Sequence, residues 1–184
     1  MIIGITGTLG AGKGTIVNFL IKRGFKHHSV REFLIKELTK KDLEINRDNM
    51  TSLANELRFK FGPSYIVEQL YNEAKNENKD CIIESIRAIG EVEALRKKGN
   101  FYLLAVDADR KIRYERILKR NSSTDNISFE KFCEQEDVEM NNDDINKQNL
   151  RKCIEMADYV FENNGSIEDL KSKIEEFIED IKLN

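Results

Sequence analysis

Gly7-Thr8-Leu9-Gly10-Ala11-Gly12-Lys13-Gly14-Thr15 decides how this chain is read. Glycine has no Cβ, so a loop this rich in it can turn successive backbone N–H groups inward and bring them close to an anion. The apolar run Ile2 to Ile5 before it reads as a strand. After it, Val17, Leu20 and Ile21 fall at helical spacing. A glycine loop between strand and helix places anionic oxygens at a helix N-terminus, where free donors and the helix dipole favour them. Lys13 adds a mobile positive charge for the β- and γ-phosphates of a nucleotide. A glycine-rich turn of no function gives no reason for a lysine at that place. Gly7, Gly10, Ala11, Gly12, Lys13, Gly14 and Thr15 are therefore the expected phosphate-binding residues.

Outward from this loop the chain alternates short apolar runs with amphipathic stretches. Met50, Leu53, Ala54, Leu57 and Phe61 mark a helix over 48–61. Gly62-Pro63 breaks it, and Ser64 is placed to cap a second helix carrying Val67, Leu70, Tyr71 and Ala74. Cys81-Ile82-Ile83 and Tyr102 to Val106 are continuous apolar runs, as in strands buried on both faces. Ile89, Val92 and Leu95 suggest a helix between them, with Gly99 just past its end. Another helix spans Asp109 to about Arg120. Tyr159-Val160-Phe161 is a last short strand, and Ile167, Leu170, Ile174, Phe177, Ile178 and Ile181 make an amphipathic terminal helix. This order predicts a three-layer α/β fold with a mostly parallel sheet, helices on both faces and catalytic loops at the carboxyl ends of the strands. The polar stretch 121–149 stands out as a mobile excursion from the core.

Composition narrows the function. The 184 residues suit one domain, 1–184. With 30 basic and 33 acidic residues the net charge is −3, which argues against general nucleic-acid affinity. No apolar stretch is long enough to span a membrane. The apolar start is too short for a signal sequence, so the expected location is the cytoplasm. Three widely spaced cysteines, Cys81, Cys133 and Cys153, suggest neither a disulfide framework nor a zinc site. The one proline, Pro63, excludes proline-rich linkers and ligand segments.

The form GxxGxGKGT, with Gly14 after Lys13 and the hydroxyl one place later at Thr15, resembles the P-loop of the adenylate kinase family of nucleoside monophosphate kinases. The chain is also similar to smaller archaeal-type adenylate-kinase-related proteins and, in parts, to dephospho-CoA kinases. The resemblance runs through most of the chain. It implies a three-layer P-loop NTPase fold with a five-stranded parallel sheet, helices on both faces and a short lid, using ATP with Mg²⁺ held near Thr15. Adenylate kinases carry a segment like hhhDGFPRTxxQAxxL, which here reads Ile82-Ile83-Glu84-Ser85-Ile86-Arg87-Ala88 onward. Glu84 replaces the aspartate and the proline is missing. Glu84 is a candidate to orient Mg²⁺-bound water and Arg87 to clamp the acceptor phosphate; the alternative is an ion pair between them at the sheet edge.

His28 to Leu34 lies where the family has STGDMLR, and the family's arginine falls on Ile35. Arg31 and Arg58 are candidates to take over the acceptor phosphate, or are simply solvated cations, within an acceptor-binding helical region of about 30–76. His27 and His28 have no metal-ligand context and read as structural. The helix Asp109 to Arg120 resembles the family helix ending RhxxR, in which the first arginine, here Arg116, packs on adenine and the second, here Arg120, reaches the transferring phosphoryl group. Residues 121–127 would then be a short lid. Ala157 to Ser166 resembles the last strand and turn of dephospho-CoA kinases, near the adenine.

The expectation is therefore a kinase that moves the γ-phosphoryl group of ATP, with Mg²⁺, to a nucleoside monophosphate or similar small nucleotide. Lys13, Arg116 and Arg120 are its catalytic candidates. Arg31, Arg58, Glu84 and Arg87 are candidates for acceptor binding, and Thr15 and Glu84 for the metal. Two alternatives stay open. One is a kinase of dephospho-CoA type, whose hydroxyl acceptor needs a general base. The other is a nucleotide-gated ATPase acting through a protein partner.

Overall fold

The computed structural model describes residues 1–76, 79–120, 127–142, 144 and 147–183. In chain order the elements are β1 (Ile2–Gly7), α1 (Lys13–Lys22), β2 (Lys26–Ser29), α2 (Val30–Lys40), α3 (Arg47–Phe61), α4 (Tyr65–Asn76) and β3 (Cys81–Glu84). There follow α5 (Ile89–Lys97), β4 (Phe101–Asp107), α6 (Arg110–Arg120), α7 (Phe129–Met140), α8 (Leu150–Glu155), β5 (Tyr159–Glu162) and α9 (Ile167–Leu183). The strands lie in the order β2-β3-β1-β4-β5, and every pairing is parallel. The expected five-stranded α/β sheet is thus present.

Strand side chains alternate between the two faces of a sheet. Ile83 and Leu103 accordingly join the core formed with α2, α3, α4 and α5, whereas Ile82, Leu104 and Val106 join the core formed with α1 and α9. Both faces are covered, which is why the central strands read as unbroken apolar runs. The order reverses at β1, whose neighbours β3 and β4 lie on opposite sides. A crevice opens there at the carboxyl ends of the strands, as in open parallel sheets generally.

Two segments differ from the sequence reading. Lys26-His27-His28-Ser29 forms β2, an edge strand too polar to show an apolar run. The stretch 121–149 is not simply an excursion from the core. Its residues Phe129–Met140 fold as α7, capped by Ser128 and burying Phe132, Glu136 and Glu139. The helix is hard to see in sequence because most of its buried face is acidic, matched by arginines rather than by apolar partners. Of the proposed lid, 121–126 lies outside the described residues. Ile127 is described, and its carbonyl accepts from the Tyr114 hydroxyl at 2.9 Å.

Candidate active site

The phosphate loop runs from the end of β1 to the start of α1. A side chain at Gly7 would put its Cβ 2.1 Å from the Val106 carbonyl oxygen. At Gly12, with φ +116°, a Cβ would lie 2.6 Å from Asn163 Nδ2. These glycines are therefore required by the neighbouring strand and by the turn after β5. Gly14 is different: a Cβ there meets nothing within 4 Å, and what its absence keeps clear is the cavity it lines.

The amides of Gly10, Gly12, Lys13 and Gly14 find no acceptor among the described residues. The Ala11 amide, by contrast, donates to the Thr8 carbonyl at 3.3 Å. Three consecutive open donors at Gly12, Lys13 and Gly14, with Gly10 just before them, make this helix N-terminus a receptor for anionic oxygen. Lys13 folds back onto the start of the loop, with Nζ donating to the carbonyls of Gly7 at 2.7 Å and Thr8 at 2.8 Å. Burial, then the nearby Arg87 charge, bring its pKa down from 10.5 to about 7 against the opposing pull of Glu84 and Glu139. A lysine so poorly compensated gains strongly from an incoming phosphate.

The loop opens into a cavity of about 630 Å³. Toward the turn after β5, Arg116 Nη1 donates to the Asn163 carbonyl at 2.9 Å and Nη2 to that of Gly165 at 3.2 Å. Asn163 in turn donates through Nδ2 to the Ala11 carbonyl at 2.7 Å. The turn after β5 is thus fastened to both α6 and the phosphate loop. Arg120 lines the same cavity.

On the opposite side Glu84 ends β3, and its Oε2 lies 3.0 Å from His27 Nε2 on neighbouring β2. Burial pushes the Glu84 carboxyl up. The hydrogen bond and charge of His27, with the Lys13 charge, outweigh it and hold the group below its usual value. The next residue, Ser85, has φ 71°, a left-handed conformation uncommon for a side-chain-bearing residue. It lets the chain leave β3 sharply while the Ser85 and Ile86 amides both donate to the Ile5 carbonyl.

Of the acceptor candidates, the structure brings Arg31, Glu84 and Arg87 to the cavity. Arg31 is exposed at its rim and makes no hydrogen bond or ion pair among the described residues. Arg87 pairs with Glu139 at 2.6 Å rather than with Glu84. Arg58 reaches the cavity wall, but its guanidinium is buried against Glu91, with Nε and Nη2 at 3.1 and 2.8 Å from Oε1. The other Glu91 oxygen accepts from the Arg87 and Ala88 amides at 2.8 and 3.0 Å. Arg58 therefore acts on Arg87 indirectly, by fixing the carboxylate that holds its backbone.

Thr15 and Glu84 offer a hydroxyl and an ionised carboxylate beside the phosphate loop. Among the described residues no group of three or more His, Cys, Asp or Glu side chains gathers as a metal site. That donor set suits Mg²⁺, which takes one or two protein ligands and completes its shell with phosphate oxygens and water.

Several residues of the site escaped sequence reasoning. His27 is tied to Glu84. Asp107, at the end of β4, accepts from the Thr8 hydroxyl at 2.5 Å; its place after a buried apolar run was the available signal. Arg47 and Glu139 line the cavity too. Arg113 donates to the Ala108 and Leu9 carbonyls and pairs with Glu136 on α7. No local pattern announces Arg47, Arg113 or Glu139, because each is defined by a partner distant in sequence.

Residues 3–142 match a family model described as an AAA domain. The chain is 31% identical to a UPF0200 protein of Sulfurisphaera tokodaii, over 98% of this chain and 97% of that one. Its fold is similar to those of three solved kinases. Shikimate kinase from Bacteroides thetaiotaomicron superposes with a TM-score of 0.59 at 15% identity, covering 97% of this chain and 98% of the other. Deoxyadenosine kinase from M. mycoides gives 0.57 at 17%, covering 100% of both. Dephospho-CoA kinase from Campylobacter jejuni gives 0.55 at 18%, covering 98% and 96%.

Proposed function

The chain belongs to the AAA-domain family and to the UPF0200 proteins, and from that premise we propose that it is an ATP-dependent phosphotransferase acting on a small nucleotide, a nucleoside monophosphate first. The observation that carries this reading is the set of amides at Gly10, Gly12, Lys13 and Gly14, without acceptors among the described residues, in one loop with the Lys13 ammonium. The same cavity continues to Arg31 and Arg87, so a bound triphosphate would end facing an arginine-lined acceptor site. The fold likeness to kinases of nucleosides and small molecules supports the same class.

In this reading the loop amides and Lys13 hold the β- and γ-phosphates. Arg116, fixed on the turn after β5, packs on the adenine, and Arg120 reaches the transferring phosphoryl group. Arg31 and Arg87 hold the acceptor phosphate. Phosphoryl transfer asks the protein for positioning and charge more than for covalent chemistry, so these cations carry much of the stabilisation. Thr15 and Glu84 would hold Mg²⁺, which supplies charge neutralisation between the phosphate oxygens. The proposed location is cytoplasmic; among the described residues no helix is long and apolar enough to cross a membrane.

A second reading, phosphorylation of a hydroxyl group as in a dephospho-CoA kinase, is favoured by Glu84. A carboxylate kept ionised by His27 at the cavity is placed to receive a hydroxyl proton. ADP release separates the two when Mg-ATP is offered with nucleoside monophosphates, deoxynucleoside monophosphates and dephospho-CoA. Stimulation by monophosphates supports the first reading, and stimulation by dephospho-CoA alone the second. ADP release stimulated by none of them, with ATP still bound, defeats both.

A further inference from the structure

Glu139 bridges two arginines from different walls of the cavity. Its Oε1 accepts from Arg47 Nη2 at 2.5 Å and its Oε2 from Arg87 Nη1 at 2.6 Å. Arg47 is the first residue of α3, whereas Arg87 follows β3. The Arg87 backbone is held on both sides: its amide donates to Glu91 and its carbonyl accepts from the Asn149 amide at 2.8 Å. Each carboxylate oxygen serves one guanidinium, which is how an external carboxylate or phosphate would sit between two arginines.

The surroundings fit an anion at this place. The side chains of Arg47 and Arg87 are only 22% and 21% exposed, and Lys13 adds its charge nearby. Cations this far out of water need an anion, and removing one without replacement is strongly unfavourable. An exchange of Glu139 for another anion avoids that cost. Val30, Leu34, Met50 and Ala54 line the same cavity, providing apolar wall beside the charged pair.

We propose that Arg47 and Arg87 form a clamp for an anionic group of the acceptor, and that Glu139 is a built-in competitor which this group must displace. The acceptor class is a small molecule with an apolar or flat body and a phosphate or carboxylate. The proposal rests on reading the cavity as a kinase site. It adds Arg47 to the binding residues and gives α7 a task. Glu136 and Glu139 share one face of that helix, three residues apart. Glu136 pairs with Arg113, which donates to the Leu9 carbonyl in the phosphate loop at 3.2 Å. Displacing Glu139 therefore acts on the helix that also braces the loop.

The test uses the full chain saturated with Mg²⁺ and a non-hydrolysable ATP analogue, so that the phosphate loop is filled. Inorganic phosphate and acetate are then titrated separately by calorimetry. Glu139→Gln tightens binding of one of them by about tenfold, and Glu139→Asp, which keeps the charge but shortens the reach, does so by less. Glu134→Gln, an exposed charge change on the same helix, leaves the affinity within about twofold. Adding Arg47→Ala to Glu139→Gln removes the gain. A gain for phosphate assigns a phosphoryl-bearing acceptor, and a gain for acetate a carboxylate-bearing one. No gain in Glu139→Gln, an equal gain in Glu134→Gln, or a gain that survives Arg47→Ala overturns the clamp. Failure of the ATP analogue to bind overturns the underlying kinase reading instead.

Discussion

The side-chain amide of Asn163 donates to the backbone carbonyl of Ala11 at 2.7 Å, joining the turn after the last strand to the phosphate loop. Both groups are buried, and the Asn163 carbonyl is in turn the acceptor for Arg116. In the proposed reading, this contact sets the distance between the phosphate loop and the part of the site that Arg116 offers to adenine. Asn163→Ala leaves a buried carbonyl unpaired, at a cost of about 1–3 kcal/mol. We expect a matching loss in urea denaturation and weaker ATP binding by titration. Unchanged stability and affinity would show that the loop is held without this tether.

Arg58 and Glu91 are 1% and 0% exposed, a buried ion pair in which both Glu91 oxygens are occupied. Removing one partner strands the other charge, so Arg58→Ala should destabilise the fold by about 3–5 kcal/mol. The denaturation midpoint checks this. If stability were unchanged while the acceptor KM rose, Arg58 would return to the acceptor site as a direct ligand.

The contrast between Arg58 and Lys13 shows how much of the site was legible in sequence. Lys13 sits in a local pattern whose geometry follows from strand, glycines and helix, so its place could be read directly. Arg58 lies on a helix that was also read correctly, yet its role depends on Glu91, far along the chain, and both residue types look solvated in isolation. The same limit hid α7. Glu136 and Glu139 break the apolar periodicity by which buried helix faces are recognised, because their partners are Arg47, Arg87, Arg110 and Arg113. The central strands were legible because burial on both faces leaves continuous apolar runs. The polar edge strand β2 carried no such mark, and with it went the link from His27 to Glu84.

Lys13 gives a pH dependence of known sign. With the folded-state pKa lowered from 10.5 to about 7, the unfolded chain binds more protons between those values, so stability contributed by this residue rises with pH across that window. Phosphate binding favours the ammonium form and reverses the shift. At about pH 8.5 nucleotide binding should therefore take up a proton, seen as a difference in calorimetric heat between buffers of unlike ionisation enthalpy. Lys13→Met should abolish the difference. Equal heats in the wild-type protein would place the free lysine near its ordinary pKa.

Arg120 ends α6 on the cavity wall four residues beyond Arg116. If it reaches the transferring phosphoryl group, Arg120→Ala lowers kcat by about 10²-fold or more while ATP affinity changes much less. Steady-state kinetics alongside nucleotide titration separates the two effects. A kcat equal to wild type would make Arg120 a solvated surface cation.

Transfer of label from γ-labelled ATP tests the central claim most directly, with wild type and Lys13→Met compared over a panel of nucleoside monophosphates, their deoxy forms and dephospho-CoA. The account predicts label covalently bound in one acceptor with the wild-type protein and none with Lys13→Met, whose fold is intact. Label in no acceptor while ATP still binds, or transfer at the wild-type rate by Lys13→Met, would contradict it.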